Sequence, residues 1–454
     1  MRRSLIALVT CSVAVAAAAV GPADAGKTSA TPKYRTYLSP KGIGDSAGEP
    51  TLGVDPGSGN VLFQAMLQTL NVSAFDKRGP GTATWTDVSS DITSIETFDP
   101  ILETDPKTGR TWVSQLALAC SLMAFTDDRG ETWTDVPMGC GAGAMFDHQS
   151  VGVGPYVKGG PLDQLPHTYP NVVYYCAQDV SAAKCSPSID GGQTYLPANV
   201  VYTTGQCHLG GIFGHLKTAP DGTAYLPPRY CPDLTAGTFN AGVVVSEDNG
   251  LTWELRKVPG SGYGDAGHGS VAVGSDGTVY LSWGGGTFPQ GGPVYVAVSR
   301  DKGKTWTKPR AMGREFRIAN SRFPIAVAGD GDRAVIAYLG TPEEGDASLQ
   351  SFEGVWHMYA SHTYDRGKTW KTVRVTNHPV QVGSICTAGT TCGSNRNLLD
   401  FNDMVIDKFG RVYIAYADGC IVQTCTTNQR EDKAAIARLV DGRGLIKKYD
   451  GKLR

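Results

Sequence analysis

Apolar residues fall in short runs along this chain, and the runs come in pairs separated by small polar residues. Val243-Val244-Val245 leads into Ser246, then Asp248, then Gly250, and Thr252-Trp253 opens the next run. Val296-Ala297-Val298 leads into Ser299, Asp301, Gly303 and Thr305-Trp306 in the same way. Runs of this length on either side of an Asp-x-Gly turn predict β-hairpins. The carboxylate accepts hydrogen bonds from nearby backbone N–H groups, and the glycine supplies a positive φ. The same eight-residue pattern recurs at Thr126 to Trp133, Ser188 to Tyr195 and Thr363 to Trp370, with a degraded copy at Asp76, Gly79 and Trp85. A repeat of this kind outranks length as a guide to architecture.

A second hairpin unit lies between these copies. It runs from Glu49-Pro50-Thr51-Leu52 to Val61-Leu62-Phe63, and from Asp99-Pro100-Ile101 to Thr111-Trp112-Val113. It returns at Asp147-His148, Gly214-His215, Gly267-His268, Phe323-Pro324 and Asn402-Asp403. Seven such hairpins, each followed by another, predict an all-β ring of seven four-stranded blades, a β-propeller. Such a ring leaves only short sheet edges exposed. The strand near Tyr34 to Leu38 is expected to close the ring by completing a blade with the C-terminal strands.

The octapeptides resemble the Asp-box (BNR) repeats of the sialidase-type β-propellers, from about Ser73 to Trp370. The resemblance implies that these turns sit at the blade periphery, remote from the active site, so none of their aspartates is a catalytic candidate. Sialidases of the family have six blades, which makes six the alternative count. Other Asp-box proteins, some endo-acting glucanases among them, have seven. The family's sialidases use three arginines, a tyrosine nucleophile paired with a glutamate, an aspartic acid and an early Arg-Ile-Pro motif. Here the nearest match, Arg322-Phe323-Pro324, falls in blade six. Arg396 and Arg229 are candidate partners for Arg322, but no full triad and no Tyr–Glu pair assembles.

Composition changes this picture in two ways. Lys+Arg 41 against Asp+Glu 43, with no basic patch, argues against nucleic acid as a partner. The 57 glycines and 26 prolines fit tight turns between strands, because 41% of residues are hydrophobic. Arg2 and Arg3, an apolar run from Leu5 to Val20 and Ala23-Asp24-Ala25 read as a secretory signal over residues 1–25. Residues 26–33 then form a linker and residues 34–454 a single propeller with a short basic tail. The expected protein is secreted, extracellular, monomeric and not inserted in a membrane. Ten cysteines follow Cys11 and fall into neighbouring pairs: 120 with 140, 176 with 185, 207 with 231, 386 with 392, and 420 with 425. An even number in an exported chain suggests disulfides, and no C-x-x-C spacing supports zinc.

Candidate chemistry lies where the innermost strands begin, at the channel mouth. One register of those starts reads Glu49-Pro50, Asp99-Pro100, Asp147-His148, Gly214-His215, Gly267-His268, Phe323-Pro324 and Phe401-Asn402. Asp400 and Asp403 lie close by. Glu49, Asp99 and Asp147 are candidate glycosidase carboxyls, since such enzymes flank the reacting bond with two. Three readings stand for His148, His215 and His268: a divalent-metal site, acid–base or ligand contacts, or hydrogen bonding within the inner ring. Arg322 and Arg396 are candidate substrate contacts, and Trp283, entering the Gly284-Gly285-Gly286 loop, is a candidate sugar platform. The expected function is a sialidase-like glycoside hydrolase or lyase acting on an extracellular glycan. The alternative is a non-catalytic propeller that binds a glycan or a protein.

Overall fold

The computed structural model describes residues 31–451 apart from 77, 78, 80, 118, 119, 141–146, 180, 209–212, 234–237, 263–268, 287–289, 388, 422–424 and 427–430. The expected signal at 1–25, the linker up to residue 30 and His268 lie outside the described residues, as do the side chains of Asp147 and Cys140.

Seven sheets, each built on four antiparallel strands, stand side by side. Their innermost strands are Thr51–Val54, Pro100–Thr104, Asp147–Gly154, Lys217–Thr218, Ser270–Val273, Asn320–Ala328 and Asp403–Ile406. Each of these neighbours the next, and the seventh returns to the first. The protein is a seven-bladed β-propeller, the count that the paired hairpins predict. Blade six adds a short strand, Gln381–Val382, and blade four carries an extra hairpin, Cys231–Asp233 with Thr238–Asn240.

The ring closes as expected. Lys33–Leu38 forms the outermost strand of blade seven against Lys433–Asp441, with Tyr37 opposite Ile436. Tyr37 is fully buried, and its hydroxyl donates to the Asp76 carbonyl in blade one (2.9 Å). The first strand thus joins the last blade to the first.

Antiparallel order sorts the connections by end. Turns between first and second strands, and between third and fourth, lie at one end. Connections between second and third strands, and from blade to blade, lie at the other, where the innermost strands begin. The five Asp-x-Gly turns join third to fourth strands, so they sit away from the mouth. All five share one bonding scheme. In the Ser299 turn, Gly303 N–H donates to Ser299 Oγ (2.8 Å), while Thr305 N–H and Oγ1–H donate to Asp301 Oδ1 (2.8 Å) and Oδ2 (2.6 Å). Those bonds hold the Asp301 carboxyl down at about 2. Lys302 and Gly303 both take positive φ, 61° and 86°, the backbone of a type I′ hairpin turn. Gly303→Ala is therefore expected to cost about 1–2 kcal/mol, read as a lower urea midpoint at unchanged slope.

Core side chains sit between neighbouring blades. Tyr225 and Val243 of blade four pack with Val271, Leu281 and Trp283 of blade five. The tryptophans that end the Asp-x-Gly turns would be expected in the core, but lie at its edge. Trp133, Trp253, Trp306 and Trp370 are only partly buried, lying across the margin of these clusters. Disulfides join Cys176 to Cys185, Cys207 to Cys231, Cys386 to Cys392 and Cys420 to Cys425. Cys120 is disulfide-bonded too, and faces Cys140 in the strand register.

Candidate functional site

A repeated hydrogen bond fixes how the seven strand starts align. Thr51 Oγ1 accepts from the Leu102 N–H (2.8 Å), Ser150 Oγ from Leu216 (2.9 Å), and Ser270 Oγ from Ala326 (3.0 Å). Asp403 Oδ2 accepts from Leu52 (3.2 Å). In each case a polar side chain of one innermost strand caps the backbone of the next blade. Two residues upstream of these equivalent positions stand Glu49, Asp99, His148, Phe213, Phe323 and Phe401.

This alignment corrects the sequence register at blades three and four. His148, not Asp147, is the equivalent of Glu49, and His215 stands level with Thr51 and Asp403 rather than with Pro50. Backbone conformation agrees: Glu49, His148 and Phe323 all have positive φ, at 54°, 43° and 55°. Such a backbone is costly for non-glycine residues and here recurs at one tier of the ring. Glu49, Asp99 and the His148 imidazole, which the sequence register separated by strand alternation, therefore share one level, with His215 beside Asp403 at the next.

The carboxylates meet a cation there. Glu49 is fully buried, and its carboxyl shares a hydrogen bond with the Asp400 carboxyl. Arg396 Nη2 lies 4.0 Å from its Oε1, and Arg396 also pairs with Asp400. Burial, then the nearby Asp99 and Asp400 charges, push the Glu49 carboxyl well above the usual carboxylate range. Burial raises Asp400 as well, against the opposing pull of Arg396 and, farther off, Arg229. Asp99 Oδ2 accepts from the His148 backbone N–H (3.4 Å), and its carbonyl accepts from Gln149 Nε2 (2.7 Å).

The histidines form a second group beside it. His148 and His215 lie with parallel rings, centroids 6.4 Å apart. Phe401 stands edge-on to both, at 5.4 Å and 4.8 Å. His215 Nδ1 is 3.5 Å from Asp403 Oδ1. Among the described residues, no group of three or more His, Cys, Asp or Glu side chains is placed to hold a metal ion. The expected three-histidine metal set is thus not assembled by His148 and His215, and His268 lies outside the described residues.

Below this level the channel opens into a cavity of about 230 Å³, lined by residues of all seven innermost strands. Two residues beyond the capping level, most blades present small or aliphatic residues there: Gly53, Ala272, Val327 and Val405. Blades two and four present Glu103 and Lys217, whose Oε2 and Nζ are 3.4 Å apart. Burial pushes the Glu103 carboxyl up to about 7, although Lys217 pulls it down. A carboxyl raised on folding binds more protons in the native than in the unfolded state between its two titrations. Stability therefore falls as pH rises from about 4.5 to about 7 on its account. Glu103→Gln is expected to flatten that part of a melting-temperature–pH profile; an unchanged slope would show that Glu103 does not carry it.

Other candidates fall elsewhere. Trp283 is fully buried, its Nε1 donates to the Gly262 carbonyl (3.0 Å), and its ring stacks on Tyr295. It offers no face to a sugar, because its ring lies within the core cluster between blades four and five. Arg322 is also buried, donating to the carbonyls of Ser321 (3.1 Å) and Ile385 (3.4 Å). A buried guanidinium satisfied in part by carbonyls acts first as a brace for the blade-six loops.

No family model matches this chain. Over 198 residues it is 31% identical to an exo-alpha-sialidase of Aspergillus fumigatus, a match covering 38% of this chain and 46% of that protein. The chain thus spans less than half the length of this curated relative. Among solved structures, a Dyadobacter fermentans protein of unknown function has a TM-score of 0.47 at 13% identity, covering 90% of this chain and all of that one. A Niastella koreensis GH74 enzyme reaches 0.46 at 14%, over 84% and 54%. A Trypanosoma rangeli sialidase mutant displaying trans-sialidase activity reaches 0.42 at 12%, over 89% and 60%. These structural likenesses carry nothing about chemistry.

Sequence reasoning named Glu49, Asp99, His148, His215 and Arg396, and the structure places all five in or beside the mouth. It listed Phe401 only as a strand start, noted Asp400 and Asp403 only as neighbours, and missed Glu103 and Lys217. The last two carry a readable signal. Each is a charge two residues beyond the capping level, directly after an apolar residue, Leu102 or Leu216.

Proposed function

We propose that this chain is an extracellular, carbohydrate-active propeller, a glycoside hydrolase working at the channel mouth. The observation that carries this reading is the Glu49–Asp400–Arg396 group. Burial raises both carboxyls, Glu49 well above the usual range and Asp400 less, because the Arg396 guanidinium lies against Asp400. Two carboxyls in environments that treat them differently are what acid–base cleavage of a glycosidic bond needs. Glu49 would give its proton to the leaving oxygen as the C–O bond breaks. Asp400, once the entering sugar has parted it from Glu49, would take a proton from the water whose oxygen bonds to the anomeric carbon. Asp99 keeps the Glu49 proton in place by its charge, and Asp403 orients His215 toward the reacting sugar. Arg396 and Arg229 suit a sugar that carries a carboxylate, in keeping with the sialidase relative. The turn repeats support Asp-box kinship, and the disulfides support an oxidising, extracellular setting.

A second reading, a non-catalytic propeller that binds a glycan or protein, is favoured by one observation. Glu49 and His148 are almost without exposure and His148 lies against Phe401, so side chains at the mouth must move before a substrate reaches them. The deciding experiment incubates the oxidised protein with sialylated, neutral and uronic-acid glycans, with and without chelator, and reads products by mass spectrometry. Hydrolysis of one class is expected, unaffected by chelator. Unsaturated uronate products would replace the hydrolase by a lyase, and binding without any product would favour the second reading.

A further inference from the structure

The extra hairpin of blade four lies in the connection between second and third strands, at the same end as the mouth. Three rings form a ladder along it. The His208 and Tyr230 centroids are 4.6 Å apart, and those of Tyr230 and Phe239 4.7 Å apart. Phe239 is 47% exposed, which is unusual for a phenylalanine. The ladder is built to hold its shape. Cys207–Cys231 ties the hairpin to the chain leaving blade three, and the His208 N–H donates to the Tyr230 carbonyl (2.9 Å). Lys257 Nζ donates to the Pro232 carbonyl (2.7 Å), and Ser261 Oγ donates to Asn240 Oδ1 (3.3 Å). Its inner end joins the candidate site, because Arg229, whose charge reaches Asp400, also lies 5.9 Å from the Tyr230 ring.

We infer that Tyr230 and Phe239 form a stacking subsite for a sugar residue of a glycan chain whose neighbouring residue occupies the mouth. This inference rests on the reading of the mouth as a glycan site. A pyranose has an apolar C–H face and a rim of hydroxyls. The ladder offers a complement: an aromatic face with the Arg229 guanidinium at one side. A rigid aromatic surface loses little conformational entropy on contact. A half-exposed Phe on a disulfide-pinned hairpin, in contact with Tyr230 and through it with Arg229, is placed for that use. The consequence is a preference for oligosaccharides over single sugars, set by a residue outside the reacting group.

The test measures binding by calorimetry, using Glu49→Gln protein so that turnover does not interfere. Probes are sialylated and neutral oligosaccharides of one to six residues. Affinity is expected to rise with length in the parent, Phe239→Ala to remove about threefold to tenfold of that gain, and Phe239→Trp to keep it. Single-sugar affinity and melting temperature are expected to stay unchanged in both. Equal affinity for long chains with and without the Phe239 ring would overturn the subsite, as would failure of every probe to bind. Glycan cleavage by the native chain at rates that Phe239→Ala leaves equal on every length would overturn the subsite while leaving the mouth reading intact. Length-dependent binding that needs Phe239, in a native protein that forms no product, would sustain the subsite and overturn the hydrolase.

Discussion

Glu49→Gln is expected to lower glycan turnover by about 10²–10⁴-fold, the usual contribution of a positioned general acid. The amide keeps the shape of the side chain but has no proton to give to a leaving oxygen. Substrate affinity is expected to hold, because the cations of Arg396 and Arg229 remain. Stability gives an independent check. The Glu49 carboxyl is raised by folding, so it takes away stability as pH climbs through the unfolded carboxyl's titration and until the folded one ionises. The amide does not titrate and has no such slope, so the variant should melt no lower than the parent at neutral pH. A variant that keeps full turnover would remove Glu49 from the chemistry. One that unfolds at pH 7 would mean that the carboxyl is a structural anchor through its hydrogen bond to Asp400.

The other large effect concerns closure. Deleting Lys33–Leu38 leaves Lys433–Asp441 as a bare edge and removes Tyr37 from the cluster it shares with Phe63, Leu70 and Ile436. The expected outcome is loss of the cooperative unfolding transition, with association through the exposed strand. Tyr37→Ala is the graded version. It is expected to cost about 3–5 kcal/mol by denaturant unfolding, the range for truncating a large buried aromatic. A deletion that melts cooperatively near the parent temperature would show that the remaining blade contacts close the ring unaided.

The fold was legible because the signals that define it are local. Each turn such as Asp301-Lys302-Gly303 carries its own chemistry, and each apolar pair of runs its own period. Even closure could be read, since an unpaired apolar strand at Tyr34 had nowhere else to go. The site was legible only in part, because it depends on register between distant strands. Asp147 and His148 differ by one position, and nothing near them in the sequence says which of the two stands beside Glu49. The hydrogen bonds that decide it, from Leu216 to Ser150 and from Leu52 to Asp403, cross between blades. Trp283 misled for the same reason: its burial depends on the packing of blade five against blade four, which its own stretch of sequence does not show.

The pairing of Lys33–Leu38 with Lys433–Asp441 also sets an order of events in time. The chain is made amino end first, so the closing strand is among the first pieces of the domain to appear and its partner among the last. No blade-by-blade assembly can finish the ring early. Until Lys433–Asp441 has been made the growing molecule is an open arc with two free edges, and the last step of the ring is a single long-range closure that needs both strands at once. Long loop closures are slow. The protein's most exposed moment is therefore its last one before completion, and a chain stopped a few residues short of Asp441 would differ from the finished one by a whole blade rather than by a tail.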